Sequence, residues 1–162
     1  MHLGAYARHA TVAAIELCIG LEEVLMANVE RTAGNLMVTS PVVVEPWQPI
    51  AQVRQLMLMH SFSFLPLRMS GAWWLLSELG MAKYLGVRSE TKKQRLGCAI
   101  SDAVNDGLEL LQIKDEDLLD WDMSISDVLK RAAVQGGSVL WLVIDKKQPS
   151  HLVGILTPFE LM

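Results

Sequence analysis

The sequence is short of the residues that usually announce a chemistry. It has two cysteines, Cys18 and Cys98, far apart and at no metal-ligand spacing. That excludes a disulfide scaffold and a thiolate metal centre, and it predicts buried, reduced thiols. The four histidines, His2, His9, His60 and His151, are scattered, and none has a carboxylate or cysteine at a recognisable spacing. A zinc site or a histidine-based catalytic group therefore finds no support. No serine nucleophile motif, phosphate-cradling glycine loop or dinucleotide-binding glycine motif occurs. Positive charge is also scarce: 14 Lys and Arg stand against 18 Asp and Glu, a net charge of -4. A general nucleic-acid binder would carry the opposite balance.

A long uncharged apolar run is missing as well. Residues 10–27 come nearest, but Glu16, Glu22 and Glu23 interrupt them. Nothing approaches the ~18 consecutive apolar residues of a membrane-spanning helix. Val12, Ile15 and Ile19 fall on one helical face, so this segment reads as an amphipathic helix packed on the domain or on a partner. The expectation is a soluble, cytoplasmic protein without a membrane segment.

What is present is a composition that can build a core: 162 residues, 51% hydrophobic and 20% charged. That suits one compact domain or two half-domains sharing a core. Comparing the chain with itself favours the second arrangement. Residues 49–53 (PIAQV) align with 124–128 (SISDV), and at the same offset 63–67 (SFLPL) align with 138–142 (SVLWL). Leu75, Leu76 and Ser77 match Ile155, Leu156 and Thr157 if the second copy has a hairpin five residues longer.

Each copy reads strand, helix, strand, strand, helix. In the first, Pro41 and the valines 42–44 predict a short strand, and Ile50, Val53 and Met57 a helical stripe over residues 49–59. Residues 64–67 and 73–76 predict two strands joined through Ser70 and Gly71, and Ser77 opens a helix to about Leu85. In the second, residues 118–121 hold the place of the first strand, Ser124 caps a helix over 125–134, and Gly136 and Gly137 stop it. Strands over 139–144 and 151–156 follow, separated by a polar turn over 145–150. Between the copies lies a solvated linker with Lys92, Lys93 and Arg95 and a helix over 100–111. Met57, Met59 and Met69 read as core filler, and Trp74 as a core aromatic.

This pattern resembles a tandem pair of CBS domains, the module named after cystathionine β-synthase. The local matches are residues 37–44 (MVTSPVVV), opening the first copy, and residues 152–160 (LVGILTPFE), closing the second. The resemblance implies an α+β fold of two β-α-β-β-α repeats packed about a pseudo-twofold axis. Residues 36–86 would form repeat 1, 87–114 a linker and 115–162 repeat 2 with a truncated last helix. Residues 1–35 would form an N-terminal helical extension that could occupy the place of that missing helix. It further implies a non-catalytic regulatory sensor that needs no cofactor. Such modules bind AMP, ADP, ATP or S-adenosylmethionine between the repeats, pair into flat homodimers, and act on an effector protein that this chain does not name.

The family's ligand fingerprint is glycine, an apolar residue, any residue, Thr or Ser, then Asp three positions on. Here Gly154, Thr157, Pro158 and Glu160 occupy it. Backbone N–H groups at a helix start and the Thr157 hydroxyl suit a phosphate, and the Glu160 carboxylate suits ribose hydroxyls. The same residues also spell a capping box, with Thr157 before the helix, Pro158 first in it and Glu160 third. Repeat 1 keeps Ser77 but has Trp74 in place of the glycine and Gly80 in place of the acid. Gly137 and Ser138 sit where relatives bring backbone close to the ligand, and they serve equally as a helix stop. The alternative is therefore a ligand-free module for dimerisation or partner docking.

Overall fold

A computed structural model describes residues 3–27, 31–135 and 140–161. In chain order the elements are α1 (Leu3–Ala27), α2 (Ala33–Leu36), β1 (Val38–Thr39), α3 (Ile50–His60), β2 (Phe64–Met69), β3 (Ala72–Ser77) and α4 (Glu78–Leu85). They continue with α5 (Ser89–Gly97), α6 (Ile100–Asn105), β4 (Leu111–Gln112), β5 (Leu118–Asp120), α7 (Ile125–Gln135), β6 (Trp141–Asp145) and β7 (Gln148–Leu156). The helix–hairpin–helix core of repeat 1 follows the apolar periodicity closely: Ile50, Val53 and Met57 are the buried stripe of α3.

The strands form two sheets, one ordered β2-β3-β4 and the other β1-β7-β6-β5. Each sheet is a hairpin of one repeat extended by a strand that precedes the other repeat in the chain. β1 lies antiparallel to β7, with Val38 opposite Ile155 and Thr39 opposite Gly154. In the same way β4 lies antiparallel to β3, with Leu111 opposite Leu75 and Gln112 opposite Trp74.

The pseudo-twofold relation extends to single hydrogen bonds. Ile50 N–H donates to the Cys98 carbonyl and Ile125 N–H to the Arg31 carbonyl, both at 2.9 Å. Ile100 donates to Gln48 at 3.0 Å, and its mate Ala33 donates to Met123 at 2.8 Å. Ser101 to Pro46 at 2.9 Å is matched by Gly34 to Trp121 at 2.7 Å. α6 thus closes repeat 1 as α2 closes repeat 2. These backbone bonds need no particular side chains, which is why the repeat survives so little sequence identity.

Three apolar clusters follow from this plan. The largest is inside repeat 1, around Val44, Ile50, Val53, Leu65, Leu67, Leu76, Met81 and Ile100. A smaller one fills repeat 2, around Ala33, Leu119, Val128, Trp141, Val143 and Leu156. The third joins the repeats: Trp73, Leu75 and Ile113 meet Leu140, Leu142 and Leu152. Trp73 Nε1 also donates to the Pro149 carbonyl at 3.2 Å, tying one hairpin to the other.

Several expectations need correction. The helix over 100–111 stops at Asn105, because Gly107 turns the chain at φ 97°, and Leu111 and Gln112 pair as a strand instead. Of residues 41–44 only Val44 makes a bridge, parallel to Leu67; Pro41 has no N–H to offer a ladder. The polar turn over 145–150 contracts to Lys146 and Lys147, with β7 starting at Gln148. The basic stretch is helical, forming α5 without a buried residue. Met59 is exposed and Met69 partly buried, so only Met57 of the three lies in the core.

The N-terminal helix does not fill the place of a closing helix. No described side chain of α1 is buried, and Cys18 on it is exposed. Cys98 is half-buried, so neither thiol has the expected core position; both are free. Among the described residues no helix is long and apolar enough to cross a membrane.

Candidate functional site

β7 ends at Leu156, and the chain then makes a single turn over residues 158–161. Pro158 leads that turn, but no helix with a developed dipole follows within the described residues. Glu160 folds back on Thr157: one carboxylate oxygen accepts from the Thr157 N–H at 2.7 Å and from its hydroxyl. The Thr157 oxygen in turn accepts from the Phe159 N–H at 3.2 Å. The Glu160 half of the capping box anticipated from the sequence is therefore formed, while the Thr157 oxygen meets the N–H of Phe159 instead of that of Glu160. The carboxylate that a ribose would need is occupied by its own turn.

Gly154 faces Met37. A Cβ built on Gly154 would lie 2.3 Å from Met37 Sδ and 2.7 Å from its Cγ. The space that this glycine leaves is filled by a thioether from the segment leading into repeat 1. Trp141 lies 1% exposed in the repeat 2 core, opposite Leu156 in the hairpin and in the cluster that Met37 packs against. Its Nε1–H has no partner among the described residues. A buried unpaired donor costs about 1–3 kcal/mol. Sequence reasoning treated Trp141 only as a strand residue. The signal available was its type, since a Trp in an apolar strand brings one polar atom that must be accommodated.

The mate position in repeat 1 is built differently. Ser77 accepts from the Gly80 N–H at 3.0 Å and caps α4. A Cβ on Gly80 would lie 2.9 Å from the Glu109 carbonyl oxygen. The absent acid is thus explained by a backbone that passes over that spot. Trp74, in the place of the glycine, donates from Nε1 to the Met69 carbonyl at 3.3 Å and packs against the repeat 1 core.

Gly137 and Ser138 lie outside the described residues, as does the neighbouring Gly136. The structure thus brings Thr157, Pro158 and Glu160 together at one turn, with Gly154 two residues before the end of the strand leading into it. Ser77 occupies the mate position in the other repeat. A groove of about 810 Å³ lies between α3 and α4, walled by Met57, Leu58, Phe62, Leu79 and Leu85. A second cleft of about 460 Å³ opens at Asp120, Trp121 and Lys146. Neither is lined by Thr157, Glu160 or Ser77.

The electrostatics of the domain are local. Asp120 is buried and forms an ion pair with Lys146, which raises the lysine's affinity for its proton. Hydrogen bonds from Lys130 and then Ser124 hold the Asp127 carboxyl below the usual range, at the first turn of α7. Burial first, and then a hydrogen bond to Asp106, push the Tyr84 phenol up to about 12. Among the described residues no group of His, Cys, Asp and Glu side chains is placed to hold a metal ion.

Comparison with known proteins agrees with this architecture. No protein-family model and no curated protein sequence matches the chain. Solved structures do. A CBS domain-containing protein of unknown function from Bacillus anthracis superposes with a TM-score of 0.58 at 13% identity, over 82% of this chain and 90% of that one. CBSX2, solved in complex with AMP, gives 0.55 at 15% identity, over 80% and 92%. The CBS domain pair of protein MJ0100, solved with 5'-methylthioadenosine and S-adenosyl-L-methionine, gives 0.55 at 14% identity, over 82% and 94%. Identities this low speak for the fold. With the paired sheets and matched closing helices, they establish it: the chain folds as a tandem CBS-domain pair.

Proposed function

We propose that this chain is a non-catalytic regulatory module that binds an adenosine-containing ligand at the Thr157 turn. The class is AMP, ADP, ATP or S-adenosylmethionine. The observation that carries this reading is the Thr157–Glu160 turn at the end of β7, whose Gly154 faces Met37 and pairs with β1 where the lead-in of one repeat meets the hairpin of the other. The Thr157 hydroxyl and the turn's N–H groups would hold phosphate, and Glu160 the ribose hydroxyls. The Trp141 N–H, without a partner among the described residues, lies in the cluster that Met37 packs against. Neighbours of this fold solved with AMP or with S-adenosylmethionine support the ligand class.

Binding here requires rearrangement, and that is what gives a sensor its output. Glu160 must leave Thr157, at a cost of about 1 kcal/mol for a lost cap, and Met37 must swing aside, which its flexible side chain allows. A ligand that binds only the opened state shifts the population toward it by its differential affinity. The shift would change how the repeat 1 lead-in sits on repeat 2, and through it the surface shown to an effector protein or a second copy.

Titration calorimetry with each of the four ligands, to millimolar concentration, tests the proposal. We expect heat with at least one of them and an affinity about tenfold weaker in Glu160→Ala, from loss of a charged hydrogen bond. Absence of heat with all four overturns the reading.

One observation favours a second reading, a ligand-free docking module. Both sites are filled from within, by Met37 at Gly154 and by the Glu109 backbone at Gly80. Thermal melting separates the two. A ligand in hundredfold excess over its dissociation constant adds about 2.7 kcal/mol, whereas a docking module responds to its own concentration or its partner's.

A further inference from the structure

α1 is a 25-residue helix whose described large apolar side chains are exposed. Val12, Ile15, Leu17, Ile19, Leu21, Val24 and Leu25 each expose half or more of their surface, from 51% at Ile19 to 66% at Leu17. Helices apolar on every side are ordinarily covered. The two faces of this one differ. Ala10, Ala14, Leu17, Leu21 and Val24 recur at alternating steps of four and three, the spacing of a helix-pairing seam. None of them is charged, while Glu16, Glu22 and Glu23 all fall outside the seam. Small residues, Ala13 and Gly20, flank it, and nothing lies within 4 Å of where a Gly20 Cβ would stand. A mid-helix glycine weakens its own helix, and in return it admits a second backbone at close range.

From these features we infer that α1 pairs with α1 of a second copy of this chain along the Ala10–Ala14–Leu17–Leu21–Val24 seam. The charge pattern selects an identical partner. Two such helices meet on this face with no charged residue in the seam, and a twofold interface must be complementary to itself. A basic partner helix would be drawn to the glutamate face instead. The area suffices as well: the seam and Leu25 offer roughly 500 Å² per copy, roughly 1,000 Å² in all, the size at which specific interfaces begin. The pair lies outside both repeats, so it would join two modules while leaving their hairpins unobstructed.

The full chain tests this by sedimentation and by cross-linking. Cys18 is exposed beside the seam, so in a Cys98→Ser background a short bis-maleimide reports on α1–α1 pairing. We expect a dimer that cross-links through Cys18. Leu17→Glu/Leu21→Glu should weaken it about 100-fold or more, by burying carboxylates in the seam, and should abolish the cross-link. The variant Leu58→Glu/Leu79→Glu, on the exposed rim of the α3–α4 groove, should leave both readouts unchanged. A monomeric wild-type chain overturns the inference. So does a dimer indifferent to the α1 double substitution, or one dissolved only by the groove substitutions, which would place the second copy on α3 and α4.

Discussion

The two repeats share a backbone plan and differ in how they are finished. Repeat 1 has α4 after its hairpin, and α5 packs on α3 and α4. Arg95 of α5 pairs with Asp106 at 3.0 Å and lies over the Tyr84 ring. Repeat 2 has a single turn, within the described residues, where α4's mate would be, and α1, which precedes α2 as α5 precedes α6, has no buried side chain among those described. The mate glycine positions differ likewise. In repeat 1 a rigid carbonyl lies over the site, and in repeat 2 a movable thioether does. Of two equivalent places, the one sealed by backbone is fixed. In the proposed mechanism the one sealed by a side chain and a capping carboxylate is the one that opens.

Paired substitutions at mate positions probe this difference. The largest effect is expected in the cores. Leu76 and Leu156 occupy equivalent places and both are 0% exposed, so Leu76→Ala and Leu156→Ala should each cost about 3 kcal/mol in chemical denaturation. A cost at Leu156 below about half of that at Leu76 would mean that repeat 2 is incompletely closed. Next come the glycines. Gly80→Ala should cost about 2 kcal/mol, because the Glu109 backbone cannot yield, and Gly154→Ala about 1 kcal/mol, because Met37 can move. The reverse order would show that Met37 is locked. At the caps, Ser77→Ala and Glu160→Ala should each lower stability by about 1 kcal/mol, read from melting curves without ligand.

The smallest effect at neutral pH belongs to Tyr84, yet it has the clearest pH signature. Its folded pKa is raised from 10.0 to about 12 by burial and by the hydrogen bond to Asp106, against the opposing charge of Arg95. The contribution is whole below pH 10 and is lost as pH rises through the folded value. Tyr84→Phe should flatten the alkaline fall in stability between those limits and leave the slope of the curve near pH 7 unchanged. A fall identical in both proteins would assign it to another group, such as Lys146, whose raised pKa acts in the same direction.

Much of this fold was legible because apolar spacing and turn residues determine local elements. The buried stripe of α3, the hairpin at Ser70 and Gly71, and the start of α4 after Ser77 lie where the residues placed them. The five-residue extension of the second hairpin also fits the observed pairing, since Leu75 and Ile155 occupy mate positions opposite Leu111 and Val38. What escaped was set by distant backbone. A two-residue strand such as β4 has too little pattern to show itself, and its pairing with β3 overrode a helix-like run beyond Gly107. At the candidate site the residue types were readable, and so was their capping alternative. The Met37 thioether against Gly154 was not, because the two are neighbours only through β1 and β7.

That last pairing has a temporal side. Repeat 1 and its closing helix form one continuous stretch of chain, so everything it needs is made before repeat 2 begins. Repeat 2 is different: β1 waits for β7, which follows it only after the whole of repeat 1. A nascent chain would then carry a finished repeat 1 and an unmatched leading strand until β7 leaves the ribosome. Contacts between such remote segments assemble slowly, and that wait is the stretch of synthesis in which this protein is most exposed to mispairing with its neighbours.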